Sequence, residues 1–326
     1  MSTPAARFSV VIPCRNERRH IRTALEALRQ QDHPPHEVIV VDGGSTDGTL
    51  DILRDWAREH PEIALRVLDG PRGQIPTSLN LGMRAATGDV IVRFDAHAFP
   101  HDGYVTRALA VLDEPNVGVA GGLWRIAPGS DSKQAQAIAA ALSHPMGAGD
   151  AAYRVARPDS GRFDVETVPF GSFRKALWEE LGGYDETLQV AEDYDFNRRV
   201  RLAGRRVVLD TAIQSTYFAR PTLATLARQY LRYGWGKAEM VRRRPSSVRL
   251  RTWVPAMLVL AILVGRALLS SPAETLAPGG TLAPGAEEGT AAGESTSSTE
   301  ADASTSALLY READLFVSAE RRAGWC

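Results

Sequence analysis

The chain predicts an α/β fold with a mostly parallel, Rossmann-like central sheet flanked by helices. Three observations carry that prediction. Short apolar runs rich in β-branched residues recur through the first hundred residues, and each is followed by a segment with helical spacing. The runs stop at Pro, Gly or Asp, where a strand gives way to a loop. The 326 residues are 44% hydrophobic, ample for a large core. Strand and helix alternating at this density imply parallel pairing through right-handed crossovers.

Residues 8–13, Phe8-Ser-Val-Val-Ile-Pro13, form the first predicted strand, ended by proline. Residues 17–31 have helical spacing, with Ile21, Ala24, Leu25 and Leu28 on one face. The second strand, 37–42, carries a β-branched run suited to burial on both faces. The turn Gly43-Gly-Ser-Thr-Asp47-Gly48 then hands over to a helix at 49–59, with Asp47-Gly48 as its cap. A third strand is expected at 64–69, a third helix at 73–86 and a fourth strand at 89–94.

Beyond residue 115 the alternation loosens. Strands are expected at 117–122 and 206–210, and helices at 132–142, 175–181 and 193–203. Gly182-Gly183 and Gly204 stop the last two helices. Residues 127–170 mix Gly, Pro, Ser and Ala and are expected to form a long region on the acceptor side. The domain expected from this pattern spans 1–250, with a first half at about 7–115, a second half at 116–220, and basic interfacial helices at 221–250.

The two ends differ in charge. Residues 270–326 hold nine acidic and three basic residues, leaving 35 basic and 30 acidic residues in 1–269. Five arginines, Arg242, Arg243, Arg244, Arg249 and Arg251, precede the apolar run 253–269. That run fits either a membrane-associated helix, short for a full span, or a buried core helix. The arginines before it suit anionic headgroups on the cytoplasmic side. From Ser270 the composition falls to Ala, Gly, Ser, Thr, Pro and Glu, which implies a disordered tail. Two cysteines, Cys14 and Cys326, make no disulfide framework or metal spacing, and the first residues show no signal peptide. The expected location is the cytoplasmic face of the cell membrane, peripheral or single-span. A nucleic-acid partner is not expected, because the dense basic run at 242–251 adjoins an apolar segment.

Several residues carry chemistry. Asp95-Ala96-His97 follows the fourth strand and places two short metal-binding side chains at the carboxyl edge of the sheet, where open α/β folds take ligands. A hard cation with so few protein ligands completes its shell from water and a substrate diphosphate. The histidine makes Mn²⁺ as suitable as Mg²⁺. Asp42 fits two roles, an acceptor for a nucleobase or ribose and a turn former. Arg72, beside a helix start, fits a diphosphate ligand or a solvated surface arginine. Asp193 fits a helix cap or a general base taking a proton from an acceptor hydroxyl. In Gln229-Tyr-Leu-Arg232-Tyr-Gly-Trp235 the aromatic rings suit sugar stacking and Arg232 the diphosphate leaving group, and the same residues also suit an interfacial helix.

Taken together, Val10-Val-Ile-Pro13, Asn16-Glu17, Val41-Asp42-Gly-Gly-Ser-Thr-Asp-Gly48, Leu79-Asn80-Leu-Gly82, Asp95-Ala-His97, Phe170-Gly-Ser172 and Glu192-Asp193 resemble, in order and spacing, the family 2 glycosyltransferases of GT-A fold. Asp-Ala-His in place of Asp-x-Asp is similar to the bacterial exopolysaccharide branch, the succinoglycan-type glucosyltransferases. The resemblance covers about residues 7–250 and implies that 7–115 is the nucleotide-sugar half and 116–220 the acceptor and catalytic half. It implies a nucleoside-diphosphate sugar donor with UDP favoured, a divalent metal, and inversion at the anomeric carbon. It also implies a lipid-linked or polysaccharide acceptor at the cytoplasmic membrane surface. By position, Pro13, Glu17 and Asp42 would hold the nucleoside, and Asp95 with His97 the metal and diphosphate. Asp193 would be the base supported by Glu192, and Gly171-Ser172 would shape the donor–acceptor junction. Gln229 and Arg232 resemble a Gln-x-x-Arg-Trp element, but Tyr233 stands at the Trp position and Trp235 comes two later. A nucleotidyltransferase and a catalytically inactive sugar-nucleotide-binding protein are the competing readings. The first is disfavoured because Cys14-Arg-Asn-Glu-Arg-Arg, after the first strand, lacks a glycine-rich loop.

Overall fold

The computed structural model describes residues 7–145, 151–188 and 190–243. The expected 253–269 helix and 270–326 tail, and the expected domain end at 250, lie outside the described residues. Four strands come first: β1 (Phe8–Cys14), β2 (Glu37–Asp42), β3 (Ala64–Asp69) and β4 (Val90–Arg93), connected by helices α1 (Ile21–Arg29), α2 (Thr49–Glu59) and α3 (Ile75–Ala85). All pair in parallel, in the order β3-β2-β1-β4. Ser9 to Cys14 pair with Glu37 to Asp42, so the carboxyl ends of β1 and β2 finish level at one sheet edge.

The second half departs from the expected mostly parallel sheet. After β5 (Ala98–Pro100) and α4 (Tyr104–Leu112) come β6 (Val117–Ala127), α5 (Lys133–Ser143), α6 (Ala152–Val155), β7 (Arg162–Asp164), β8 (Ser172–Arg174), α7 (Lys175–Glu180), α8 (Glu192–Leu202) and β9 (Arg206–Phe218). The three-residue β8 runs antiparallel between β4 and β6, while β6 pairs in parallel with β9. Strands β5 and β7 join β9 antiparallel, giving a nine-stranded mixed sheet. The expected strands at 117–122 and 206–210 extend to 127 and 218, because they pair with each other to their ends, Ala127 opposite Phe218. Finally α9 (Leu223–Arg243) is a single helix of 21 residues. Among the described residues no helix is long and apolar enough to cross a membrane.

Side-chain alternation in buried strands divides the core between two faces. Val10, Ile12, Val38, Val40, Val90 and Val92 pack with Ile21, Leu25, Trp56 and Tyr104 from α1, α2 and α4. Their odd-numbered neighbours Val11, Ile39, Val41 and Ile91 pack on the other face with Leu79, Met83, Trp178 and Phe196 from α3, α7 and α8. Gly82 lets α3 lie close to the sheet: a Cβ there would stand 2.5 Å from Val11 Cγ1. Its motif partner Asn80 is buried, receives the Tyr184 backbone N–H and donates to the Tyr184 carbonyl and Glu186. These bonds fix the loop that leads into α8.

Candidate active site

The level strand ends after β1 and β2 are joined by hydrogen bonds between their loops. Asn16 donates its N–H to Ser45 Oγ and accepts from Thr46 N–H; Glu17 N–H donates to Thr49 Oγ1, and Arg18 N–H to Asp47. Asp47 also accepts from Thr49 N–H and Oγ1, so it secures the start of α2 and the β1 loop together, while Gly48 is the N-cap residue. Burial alone would raise the Asp47 pKa, but the bonds from Thr49 and Arg18 hold it below the usual value.

Asp42 is the last residue of β2 and 3% exposed. Its carboxylate accepts from Gly44 N–H at 3.0 Å, Ser45 N–H at 2.9 Å and the Ser45 hydroxyl. The turn-forming role is therefore realised, and the turn presents Asp42 at the sheet edge. Arg72 lies over this turn, since a Cβ on Gly44 would stand 2.9 Å from Arg72 Nε. The neighbouring helix α3 begins two residues later than expected, at Ile75, after Gly73 at φ +70°. Pro13 sits opposite Val41, beyond the last β1–β4 pair at Val11, so its missing N–H interrupts no ladder with β4.

A second group gathers at the end of β4. Arg93 is the only charged residue in that strand and is 4% exposed. Its Nη1 pairs with Asp193, and its Nη2 lies 3.1 Å from Asp95 Oδ1 and 3.2 Å from Glu192 Oε1. Burial would lower the Arg93 pKa, but the Asp95 and Glu192 charges raise it. Arg93 thus joins three of the residues singled out in the sequence, across about 100 positions of chain. Sequence reasoning missed Arg93. The available signal was a lone charge inside the apolar run Val90-Ile-Val-Arg93-Phe94, since a buried guanidinium requires anionic partners.

His97 Nδ1 lies 2.9 Å from Glu17 Oε1, which brings the β1 loop to the β4 end. Burial would lower the His97 pKa, yet the Glu17 hydrogen bond and the Asp95 charge raise it above the ordinary histidine value. With Nδ1 committed, Nε2 is the imidazole nitrogen left for a cation. No group of three or more His, Cys, Asp or Glu that would cage a metal occurs among the described residues. The carboxylate and imidazole present fit a divalent ion that draws its other ligands from substrate oxygens and water.

Asp193 lies within the first turn of α8 and does not cap it; the N-cap is Ala191, at φ +68°. Two further non-glycine residues with positive φ precede site motifs, Asn16 (54°) before Glu17 and Phe170 (51°) before Gly171-Ser172. Gly171 accepts the Arg93 N–H, and a Cβ there would meet Val119 Cγ1 at 2.7 Å. Ser172 is fully buried in β8, and its hydroxyl has no hydrogen-bond partner.

The remaining predicted residues lie apart on α9. Gln229 is buried and donates to the Tyr217 and Tyr233 hydroxyls. Arg232 is half-buried, whereas Trp235 is 73% exposed. The helix approaches the base loop one turn of sequence further on, where Gly236 packs on Val190 and Lys237 Nζ lies 3.9 Å from the Tyr194 ring centroid.

Asp42 and Asp95 at strand ends and the Arg93-linked Glu192-Asp193 pair at the start of α8 thus gather at one sheet edge, where α/β folds take ligands. The family comparison gives the class: residues 9–178 match the model of glycosyl transferase family 2, and residues 170–278 that of glycosyl transferase family group 2. The chain belongs to glycosyl transferase family 2. Over 249 residues it is 31% identical to the succinoglycan biosynthesis protein ExoA of Rhizobium meliloti, covering 76% of this chain and 73% of that one. It is 26% identical over 244 residues to a dolichyl N-acetyl-α-D-glucosaminyl phosphate diacetamido-dideoxyglucuronosyltransferase of Methanococcus voltae, covering 72% and 74%. The fold is shared with the mannosyltransferase PcManGT of Pyrobaculum calidifontis, solved with GDP-Man and Mn²⁺ (TM-score 0.53, 23% identity, 83% and 82% covered). It is also shared with S. aureus TarS 1–349, solved with UDP (TM-score 0.51, 21% identity, 72% and 65% covered).

Proposed function

We propose that the protein transfers a sugar, with inversion, from a nucleoside-diphosphate sugar to a hydroxyl of a lipid-linked or polysaccharide acceptor. The observation that carries this reading is the junction at Arg93, where the candidate cation residue Asp95 meets the candidate base Asp193. A displacement of this kind needs leaving-group charge neutralised on one side and a proton removed on the other. The names of the two relatives, a succinoglycan biosynthesis protein and a dolichyl-phosphate-linked sugar transferase, support the acceptor class. The nucleotide complexes of TarS and PcManGT support a nucleotide-sugar donor, and UDP is favoured.

In this reading the Asp42 turn, Arg72, Pro13 and Glu17 line the nucleoside end of the cleft. Asp95 and His97 hold a divalent cation, Mn²⁺ or Mg²⁺, which when bound neutralises charge on the departing diphosphate. Glu17 orients His97. Asp193 accepts the proton of the acceptor hydroxyl, which attacks the anomeric carbon from the face opposite the leaving group, and Glu192 supports the base through Arg93. Gly171 and Ser172 set the wall between the two substrates. The exposed face of α9, with Leu231 and Trp235 beside the half-buried Arg232, meets the membrane surface on the cytoplasmic side.

The test is a donor screen by release of nucleoside diphosphate in Mn²⁺, Mg²⁺ or EDTA. Metal-dependent release from one sugar nucleotide is expected, falling by a factor of at least about 100 in Asp193→Asn with nucleotide affinity retained. Full turnover in that variant would remove Asp193 from the base role.

A further inference from the structure

Arg93 lies in the strand that ends in the candidate cation site, and its partners come from both substrate sides. Its side chain is 5% exposed, whereas Asp95, Glu192 and Asp193 are 26%, 11% and 20% exposed, so the carboxylates are more open to solvent than the guanidinium that links them. Nη1 and Nη2 hold all three acids, Nε is buried without a hydrogen-bond partner, and the guanidinium carbon is 5.7 Å from the Phe170 ring centroid. A planar fork braced by an aromatic ring can span three carboxylates in a way a lysine ammonium cannot.

We infer that Arg93 is a positioning residue and a built-in counter-charge of the cation site: it ties Asp95 to Glu192 and Asp193, and it opposes a bare divalent ion so that metal and donor diphosphate are taken up together. This rests on the reading of Asp95 and His97 as cation ligands. A hard cation binds a carboxylate oxygen at about 2 Å. An ion on Asp95, whose Oδ1 is 3.1 Å from Arg93 Nη2, therefore lies within a few ångströms of a fixed positive charge. At such separations like-charge repulsion in a partly buried site weakens binding by about tenfold or more. The diphosphate brings the negative charge that offsets this repulsion, so nucleotide and metal strengthen each other's binding by the same factor.

The experiment measures Mn²⁺ affinity of the full chain, alone and with saturating UDP, for the wild type, Arg93→Gln, Arg93→Lys and Asp95→Ala. Melting temperatures are recorded alongside. Arg93→Gln is expected to bind Mn²⁺ alone about tenfold more tightly, and the factor by which UDP strengthens Mn²⁺ binding is expected to shrink. Arg93→Lys keeps the charge and is expected to match the wild type for Mn²⁺ alone, and Asp95→Ala is expected to lose that binding. A purely structural arginine predicts the opposite for Arg93→Gln, weaker binding that follows a lower melting temperature. If Arg93→Gln does not fold, Asp193→Asn/Arg93→Gln, which removes one charge of each sign, is compared with Asp193→Asn and should show the same tightening. Unchanged or weaker Mn²⁺ affinity in a folded Arg93→Gln, with Mn²⁺-dependent UDP binding intact in the wild type, overturns the inference alone. Absence of Mn²⁺-dependent UDP binding in the wild type overturns the cation reading and this inference with it.

Discussion

At the scale of single residues, the site shows its cost in backbone conformation. Ala191 holds φ +68° immediately before Glu192-Asp193, a region that a side chain with Cβ occupies at a cost of about 1 kcal/mol or more. The helix start at Glu192 and the Arg93 ion pairs hold it there. Ala191→Gly is therefore expected to stabilise the fold by up to about 1 kcal/mol, seen as a higher thermal midpoint. Turnover should fall in the same variant, because a freer residue lets Asp193 leave its position. A lower midpoint would show that the conformation carries no strain. The residue scale also holds what the sequence hid. The positions of Asp42, Asp95, His97 and Asp193, at strand ends or in the first turn of a helix, were legible from the local pattern. Arg93 was hidden because its partners lie two, 99 and 100 positions away, and only tertiary pairing makes it part of the site.

At the scale of elements, the segments with a period of their own were the legible ones. β2, buried throughout, α2 and the largely exposed edge strand β3 fall on the expected residues, because apolar alternation and amphipathic spacing are local properties. The three-residue strands β5, β7 and β8 carry no period of their own, so only their neighbours reveal them. Close packing between elements gives a prediction: Gly82→Ala places a Cβ 2.5 Å from Val11 Cγ1 and 3.1 Å from Val41 Cγ2. Pushing α3 off the sheet should cost about 1–3 kcal/mol in thermal unfolding, and an unchanged midpoint would show that the helix has room. Helix α9 presents a different surface, with Leu223, Leu231 and Trp235 spaced by multiples of four and 60%, 75% and 73% exposed. Apolar residues on the outer face of a helix that also carries Arg232 and Arg242 suit an anionic bilayer. Leu231→Ala with Trp235→Ala is expected to weaken co-sedimentation with phosphatidylglycerol vesicles about tenfold or more, without lowering the melting temperature. Equal sedimentation of variant and parent would assign the stripe elsewhere.

At the scale of the whole described fold, the parallel half is held at its amino edge by one carboxylate. Glu37 opens β2, is 3% exposed, and gathers bonds from three other parts of the chain. Its Oε1 accepts from Ser9 Oγ on β1 at 2.6 Å, and from Thr87 N–H at 2.6 Å and Thr87 Oγ1 at 2.8 Å in the loop before β4. Its Oε2 accepts from Arg66 Nη1 on β3 at 3.3 Å. Burial alone would raise the Glu37 pKa, but these donors outweigh it and hold the value near about 2, against an ordinary 4.5. A carboxylate whose folded pKa is depressed contributes its full stability above the unfolded value, and that contribution disappears as pH falls from about 4.5 towards 2. The depression corresponds to about 3 kcal/mol as an upper bound. The parent should therefore lose stability steeply across that window, measured by urea unfolding at successive pH values. Glu37→Gln should be less stable at pH 7 by up to that amount and show a flatter pH dependence between 4.5 and 2. If parent and variant ran parallel through that range, the acid sensitivity would belong to other carboxylates, and the four strands would be joined by their backbone ladders and apolar faces alone.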